Sequence, residues 1–198
     1  MDTIGGRDPY SYPETDVLIN KLDIHDPNEL SLTDADLAYY RLDEMYDDHV
    51  AGAFDLDHLR AIHRRLFGDL YEWAGELRTV SIAKDNSLFA LPAYLGVAAG
   101  KLFDELRHER YLVGLPHGAF AARLAYYLGE VNALHPFREG NGRTQREFIR
   151  QLALHAGFHV AWEEVSREEM VQASIAAMAG RLGLLEVIMG RIITTVAQ

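Results

Sequence analysis

Between Leu134 and Phe148 the chain runs LHPFREGNGRTQREF, its densest concentration of groups able to do chemistry. His135 carries the side-chain type that titrates nearest neutral pH. Pro136 disfavours the helical conformation at His135, so the imidazole is expected on a loop at a helix end, placed to act as a base. Gly140 and Gly142 flank Asn141 and allow both unusual backbone angles and close approach of a ligand to bare amides. Arg143 opens the next expected helix, whose unpaired N–H groups and dipole favour an anion. Arg146, three residues on, shares that face. Consecutive amides over 140–142 and two guanidiniums would make a phosphate cradle. Glu139 adds a hard oxygen ligand beside it, of the kind that magnesium on a polyphosphate takes. By physics alone these residues fit a structural turn equally well: Gly-Asn-Gly can be a tight bend, and the arginines can pair with Glu147 or other carboxylates.

The run HPFREGNGRTQR resembles the Fic pattern H-P-F-x-[D/E]-G-N-G-R-x-x-R at every fixed position, a far more specific match than a lone glycine motif. RDPYSYP, LYEWAGELRTV and HAGF extend the resemblance over most of the chain, to small single-domain bacterial Fic toxins. It implies a protein adenylyltransferase that uses ATP and Mg²⁺. His135 would deprotonate a Tyr, Thr or Ser hydroxyl of a target protein, which attacks the α-phosphorus and expels diphosphate. Glu139 would hold Mg²⁺, Asn141 and the amides of Gly140 and Gly142 would line the α/β-phosphate site, and Arg143 and Arg146 would meet the β/γ- and γ-phosphates. A hairpin at about Leu77–Ala90 matches the family's flap. There Lys84, Asp85, Asn86 and Ser87 would lie near the nucleotide, and Phe89 would clamp a target segment paired as an added strand. Without the resemblance, Lys-Asp-Asn is also simply a good turn.

Glycine at both 140 and 142 leaves room for a triphosphate, so the resemblance favours AMP transfer over transfer of phosphate, UMP or phosphocholine. Fic proteins are often silenced by a helix bearing [S/T]-x-x-x-E-[G/N]. Here only Glu139–Gly140 has Glu followed by Gly or Asn, and four residues earlier stands His135. The resemblance therefore implies a separate small antitoxin docking near Arg146, and a toxin–antitoxin pair. By the same resemblance, the targets would be type II topoisomerase subunits, DNA gyrase B or its topoisomerase IV counterpart. The alternative from another class is a helix-turn-helix DNA-binding module with Arg143 and Arg146 on its recognition helix. The net charge of −11, from 19 basic and 30 acidic residues, opposes that alternative and disfavours nucleic acid or anionic membrane as a direct partner.

These groups need a scaffold. At 198 residues, 48% hydrophobic and 25% charged, the chain suits one domain with a sizeable core, over 1–198. Absence of cysteine removes disulfide and thiol chemistry. The first residues lack the apolar core of a secretion signal, and no apolar run is long enough to span a bilayer, so a soluble protein of the bacterial cytoplasm is expected. Ser31 and Thr33 precede a helical stretch with Leu37, Tyr40 and Glu44 on one stripe. Asp55 can cap a helix with Leu56, Leu59, Ile62, Leu66 and Leu70 at helical spacing. Pro92 and Pro116 suit helix starts, and Phe120, Leu124, Tyr127, Val131 and Leu134 form one apolar face. Ser166 and Glu169 make a capping box, and LLEVIMGRIITTV reads as a last helix. The histidines on helices, His58, His63 and His155, read as structural or surface groups, and Trp73 and Trp162 as core or interface rather than substrate stackers. The expected fold is all-α, a mostly helical bundle with one short β-hairpin projecting.

Overall fold

The computed structural model describes residues 2–4, 8–84 and 87–196, with backbone alone for 2–4, 84 and 87. Helix α1 covers Pro27–Asp47, α2 Leu56–Phe67, α3 Leu95–His108, α4 His117–Leu134, α5 Asn141–His155, α6 Arg167–Met178 and α7 Gly183–Ile192. The caps are mostly those the sequence offers. Asp55 accepts from the His58 N–H, and Ser166 and Glu169 form a reciprocal box. Helix α1 starts earlier than expected, because the Asp26 carboxylate accepts from the Asn28 and Glu29 amides and Pro27 fits the first turn. Its inward face also differs: Leu30, Asp34, Ala38 and Met45 are buried, whereas Tyr40 is 57% exposed. A buried carboxylate is tolerated there because it has partners, described below.

Helix α4 runs through the centre of the core. Phe120, Leu124, Tyr127 and Val131 are fully buried against α5 and α7, each such side chain contributing roughly 1.5–3 kcal/mol. Its C-terminus is therefore a fixed point on which a loop can be built.

The expected hairpin is present as β2, Ser81–Lys84, and β3, Ser87–Leu88, paired Ala83 to Leu88 and Lys84 to Ser87. A strand β1, Asp2–Ile4, adds to the other edge of β2 with Thr3 opposite Ile82. The last helix stops at Ile192, because the β-branched run from Ile193 to Thr195 forms strand β5 against β4, Phe158–Val160. Among the described residues no helix is long and apolar enough to cross a membrane.

Candidate active site

His135 caps α4 in the left-handed conformation, φ 44° and ψ 60°, with its N–H donating to the Val131 carbonyl at 3.2 Å. That conformation costs a non-glycine residue about 1–2 kcal/mol, so the surroundings must hold it. They do so on several sides. Nδ1 donates to the Asn132 carbonyl at 3.1 Å, which fixes the tautomer with the basic lone pair on Nε2. The Phe89 ring stacks on the imidazole with centroids 3.8 Å apart. The His135 carbonyl accepts from Arg78 at 2.8 Å.

The loop beyond it is stitched to the body at nearly every residue. The Asn141 side chain accepts from the Phe137 N–H at 2.9 Å and donates to the Phe137 carbonyl at 2.8 Å, closing the turn on itself. Its carboxamide is thus spent on the loop, and what it can present to a phosphate is its backbone amide. Arg138 donates to the Asp8 carboxylate through two nitrogens, at 2.8 and 2.7 Å. His63 accepts from the Gly75 N–H at 2.8 Å and donates to the Glu139 carbonyl at 2.9 Å, with its ring stacked on Phe137. Burial pushes its pKa down to about 3, so it bridges as a neutral imidazole. At Gly140, φ is 78° and a Cβ would meet the Phe67 ring at 2.4 Å, so only glycine fits.

Helix α5 begins at Asn141, two residues before Arg143, so the amides of residues 141–143 form its open N-terminus. The Glu139 carboxylate lies against this end, accepting from the Gly140 N–H at 3.0 Å. Arg143 is held by the Asp34 carboxylate of α1, which also accepts from the Tyr71 hydroxyl at 3.0 Å, and its guanidinium stacks over Phe67 at 4.6 Å. Arg146 is different. Among the described residues its guanidinium has no ion-pair partner, and burial followed by the nearby Arg143 charge lowers its pKa. A half-buried guanidinium with no ion-pair partner among the described residues can take an anion.

A cavity of about 570 Å³ opens beside these groups. His135, Gly142 and Arg146 line it, together with apolar Leu128 of α4 and Met170, Val171, Ile175 and Met178 of α6; Arg167 and Ser174 of α6 add polar groups among these. Trp162 borders it and donates to the Arg146 carbonyl at 3.2 Å, so it belongs to the site wall as well as to the packing.

The expected residues thus converge, with refinements. His135, Gly142 and Arg146 share one cavity, with Gly140 and Asn141 forming the turn behind it. Phe89 is only 6% exposed and packs on the base, so it supports the imidazole, while its neighbour Leu88 is the exposed apolar residue of the hairpin. Lys84 and Ser87 are placed as paired backbone, and Asp85 and Asn86 lie outside the described residues. Sequence reasoning passed over Asp34, Arg78 and the α6 wall, while His63 has the structural role expected of it, bridging Gly75 and Glu139. The signal for Asp34 was a charged residue on the inward face of α1, visible once that face is known, whereas Arg78 lies in the loop before β2 and has no face to mark it. No group of three or more metal-ligating side chains occurs among the described residues. A lone Glu139 beside an amide nest instead fits magnesium, which takes one or two carboxylates and fills its shell from substrate phosphates.

The Fic/DOC family model matches residues 53–153. The chain is 47% identical over 190 residues to the protein adenylyltransferase VbhT of Bartonella schoenbuchensis, covering 96% of this chain and 40% of that protein. It is 37% identical to the probable protein adenylyltransferase Fic of Escherichia coli, covering 98% of this chain and 96% of that one. The crystal structure of BepC from Bartonella tribocorum with bound AMPPNP superposes with a TM-score of 0.88 at 27% identity, over 95% of this chain and 97% of that one.

Proposed function

The chain belongs to the Fic/DOC family, and on that premise we propose that it transfers AMP from ATP to a hydroxyl of another protein. The observation that carries this is the pairing of His135 with the uncompensated Arg146 guanidinium in one cavity, at the open N-terminus of α5. Relatives covered over nearly their whole length and named probable protein adenylyltransferases, and a related structure with bound AMPPNP, support it.

The chain's own groups divide the work. Arg146 and the amides at the start of α5 draw in and orient the phosphates. Arg143 reaches the same end once phosphate oxygens compete with Asp34 for it. His135 takes the proton of the incoming hydroxyl on Nε2 as that oxygen attacks the α-phosphorus, and diphosphate leaves. Magnesium, held by Glu139, would neutralise charge on the α- and β-phosphates. The apolar part of the cavity lining, between α4 and α6, suits a nucleobase. The outer edge of β3, with exposed Leu88, suits a target strand.

The wider setting belongs to the same proposal: a cytoplasmic toxin acting on a type II topoisomerase subunit, restrained by a small antitoxin whose glutamate docks at Arg146. Its support is that Glu precedes Gly or Asn in this sequence only at Glu139–Gly140, with His135 rather than Ser or Thr four residues earlier, and that Arg146 has no ion-pair partner among the described residues. The test is incubation of the protein with bacterial lysate and ATP labelled at either the α- or the γ-phosphorus. Label should pass to protein from the α-position alone. Transfer confined to the γ-label would overturn AMP transfer, and undiminished transfer after adding a helix with the inhibitory motif would overturn the antitoxin.

A further inference from the structure

Arg78 sits between the hairpin and the end of α4 and is 2% exposed. Its Nε donates to the His135 carbonyl at 2.8 Å, and one terminal nitrogen donates to the Val80 carbonyl at 2.7 Å. The other terminal nitrogen donates to the Ala90 carbonyl and, at 3.3 Å, to the Leu134 carbonyl. These acceptors are not scattered. Val80 and Ala90 are the residues by which the chain enters and leaves the β2–β3 hairpin. Leu134 is the last residue of α4, and His135 is its cap. Two main-chain bonds run alongside, from the Arg78 N–H to the Pro136 carbonyl at 2.9 Å and from the Ala90 N–H to the Ala133 carbonyl at 3.1 Å.

Among the described residues Arg78 has no carboxylate partner, and burial lowers its pKa to about 10, which leaves it protonated at neutral pH. Four carbonyl dipoles compensate the charge, two of them at the negative end of α4. A planar fork with donors in fixed directions can serve four acceptors at once. A lysine, with one compact ammonium, cannot span them.

We infer that Arg78 is a positioning residue that couples the flap to the catalytic base, tying both stems of the hairpin to the strained backbone of His135. Seating of a target on the hairpin and orientation of the imidazole are then one event. The claim rests on the transfer reading above for its kinetic consequence, but its structural consequence can be measured without it.

The experiment compares the full wild-type chain with Arg78→Lys, which keeps the charge, and Arg78→Gln, which keeps neutral donors. Amide exchange should quicken about tenfold in residues 79–90 and 131–136 together while α2 and α7 keep their protection. The His135 imidazole resonance, assigned by its loss in His135→Ala, should shift. Label transfer from α-labelled ATP to lysate protein should fall about 30-fold in kcat, with ATP affinity within about twofold of wild type. Quickening in only one of the two segments overturns the coupling. So does an unmoved imidazole resonance, and so does loss of protection throughout the molecule in both variants, which would make Arg78 purely structural. If the wild type itself transfers no α-label, the transfer reading fails, and the exchange and resonance measurements still decide the coupling.

Discussion

The loop from His135 to Arg146 and the hairpin that faces it are held in opposite ways. The loop is buried and bound residue by residue: Asn141 closes it internally, and His63, Asp8 and Asp34 pin it from three other parts of the chain. The hairpin has two short strands with two paired positions, is gripped at its stems, and leaves Leu88 54% exposed at its edge. Under the proposed transfer, rigidity is concentrated where charges would sit ready for a reacting phosphate, since preorganised groups need no rearrangement during the reaction. The hairpin, which would meet a partner, has little of it.

This contrast can be broken in four places. The largest effect is expected from His135→Ala, which should cut label transfer about 1000-fold while nucleotide affinity stays within about threefold. Calorimetric titration with ATP showing an equal loss of affinity would make His135 a binding residue. Next, Arg146→Met should weaken ATP binding about 30-fold. The nucleotide-free protein should melt no lower, and by a degree or two higher, because a half-buried charge without an ion-pair partner among the described residues is removed. A lower melting temperature would mean the guanidinium supports the fold. Leu88→Ala should raise the KM for a target protein about fivefold, leaving kcat and thermal stability unchanged. A change in kcat alone would move Leu88 from the partner surface into the chemistry.

The last effect concerns acid and is read on stability alone. The folded His63 imidazole titrates near 3, well below its usual 6.5, so between those values the unfolded chain binds a proton that the folded chain does not. Stability should be fully present above pH 6.5 and decline as the pH falls through that window. His63→Gln, which can still donate to the Glu139 carbonyl, should flatten the decline by up to about one proton in the slope of unfolding free energy against pH. Unchanged slopes in urea melts at several pH values would show that the loop is not anchored by a neutral His63.

Much of the scaffold was legible because its signals are local. The α2 and α6 starts are written in Asp55 and in Ser166 with Glu169, and the buried stripe of α4 recurs at helical spacing. Helix α1 misled for a physical reason. Its stripe of Leu37, Tyr40 and Glu44 looks like an inward face, yet the buried polar residue there is Asp34, whose burial is offset by Arg143 and Tyr71. Strands β1 and β5 were missed because short strands are stabilised by the edge they find, which no local pattern announces.

By itself, the sequence determined which groups are candidates for the reaction. Base, amide nest, carboxylate and arginines lie within residues 135–146, so the geometry of one helix end and one turn brings them together. Only the tertiary structure decided what holds them and what completes the cavity. Asp8 and Arg138 stand 130 residues apart, Asp34 and Arg143 109, and Arg78 and His135 57. The apolar wall supplied by α6 lies beyond the motif helix. Contacts across such separations depend on how helices pack, and packing leaves no periodic trace at the residues that it joins.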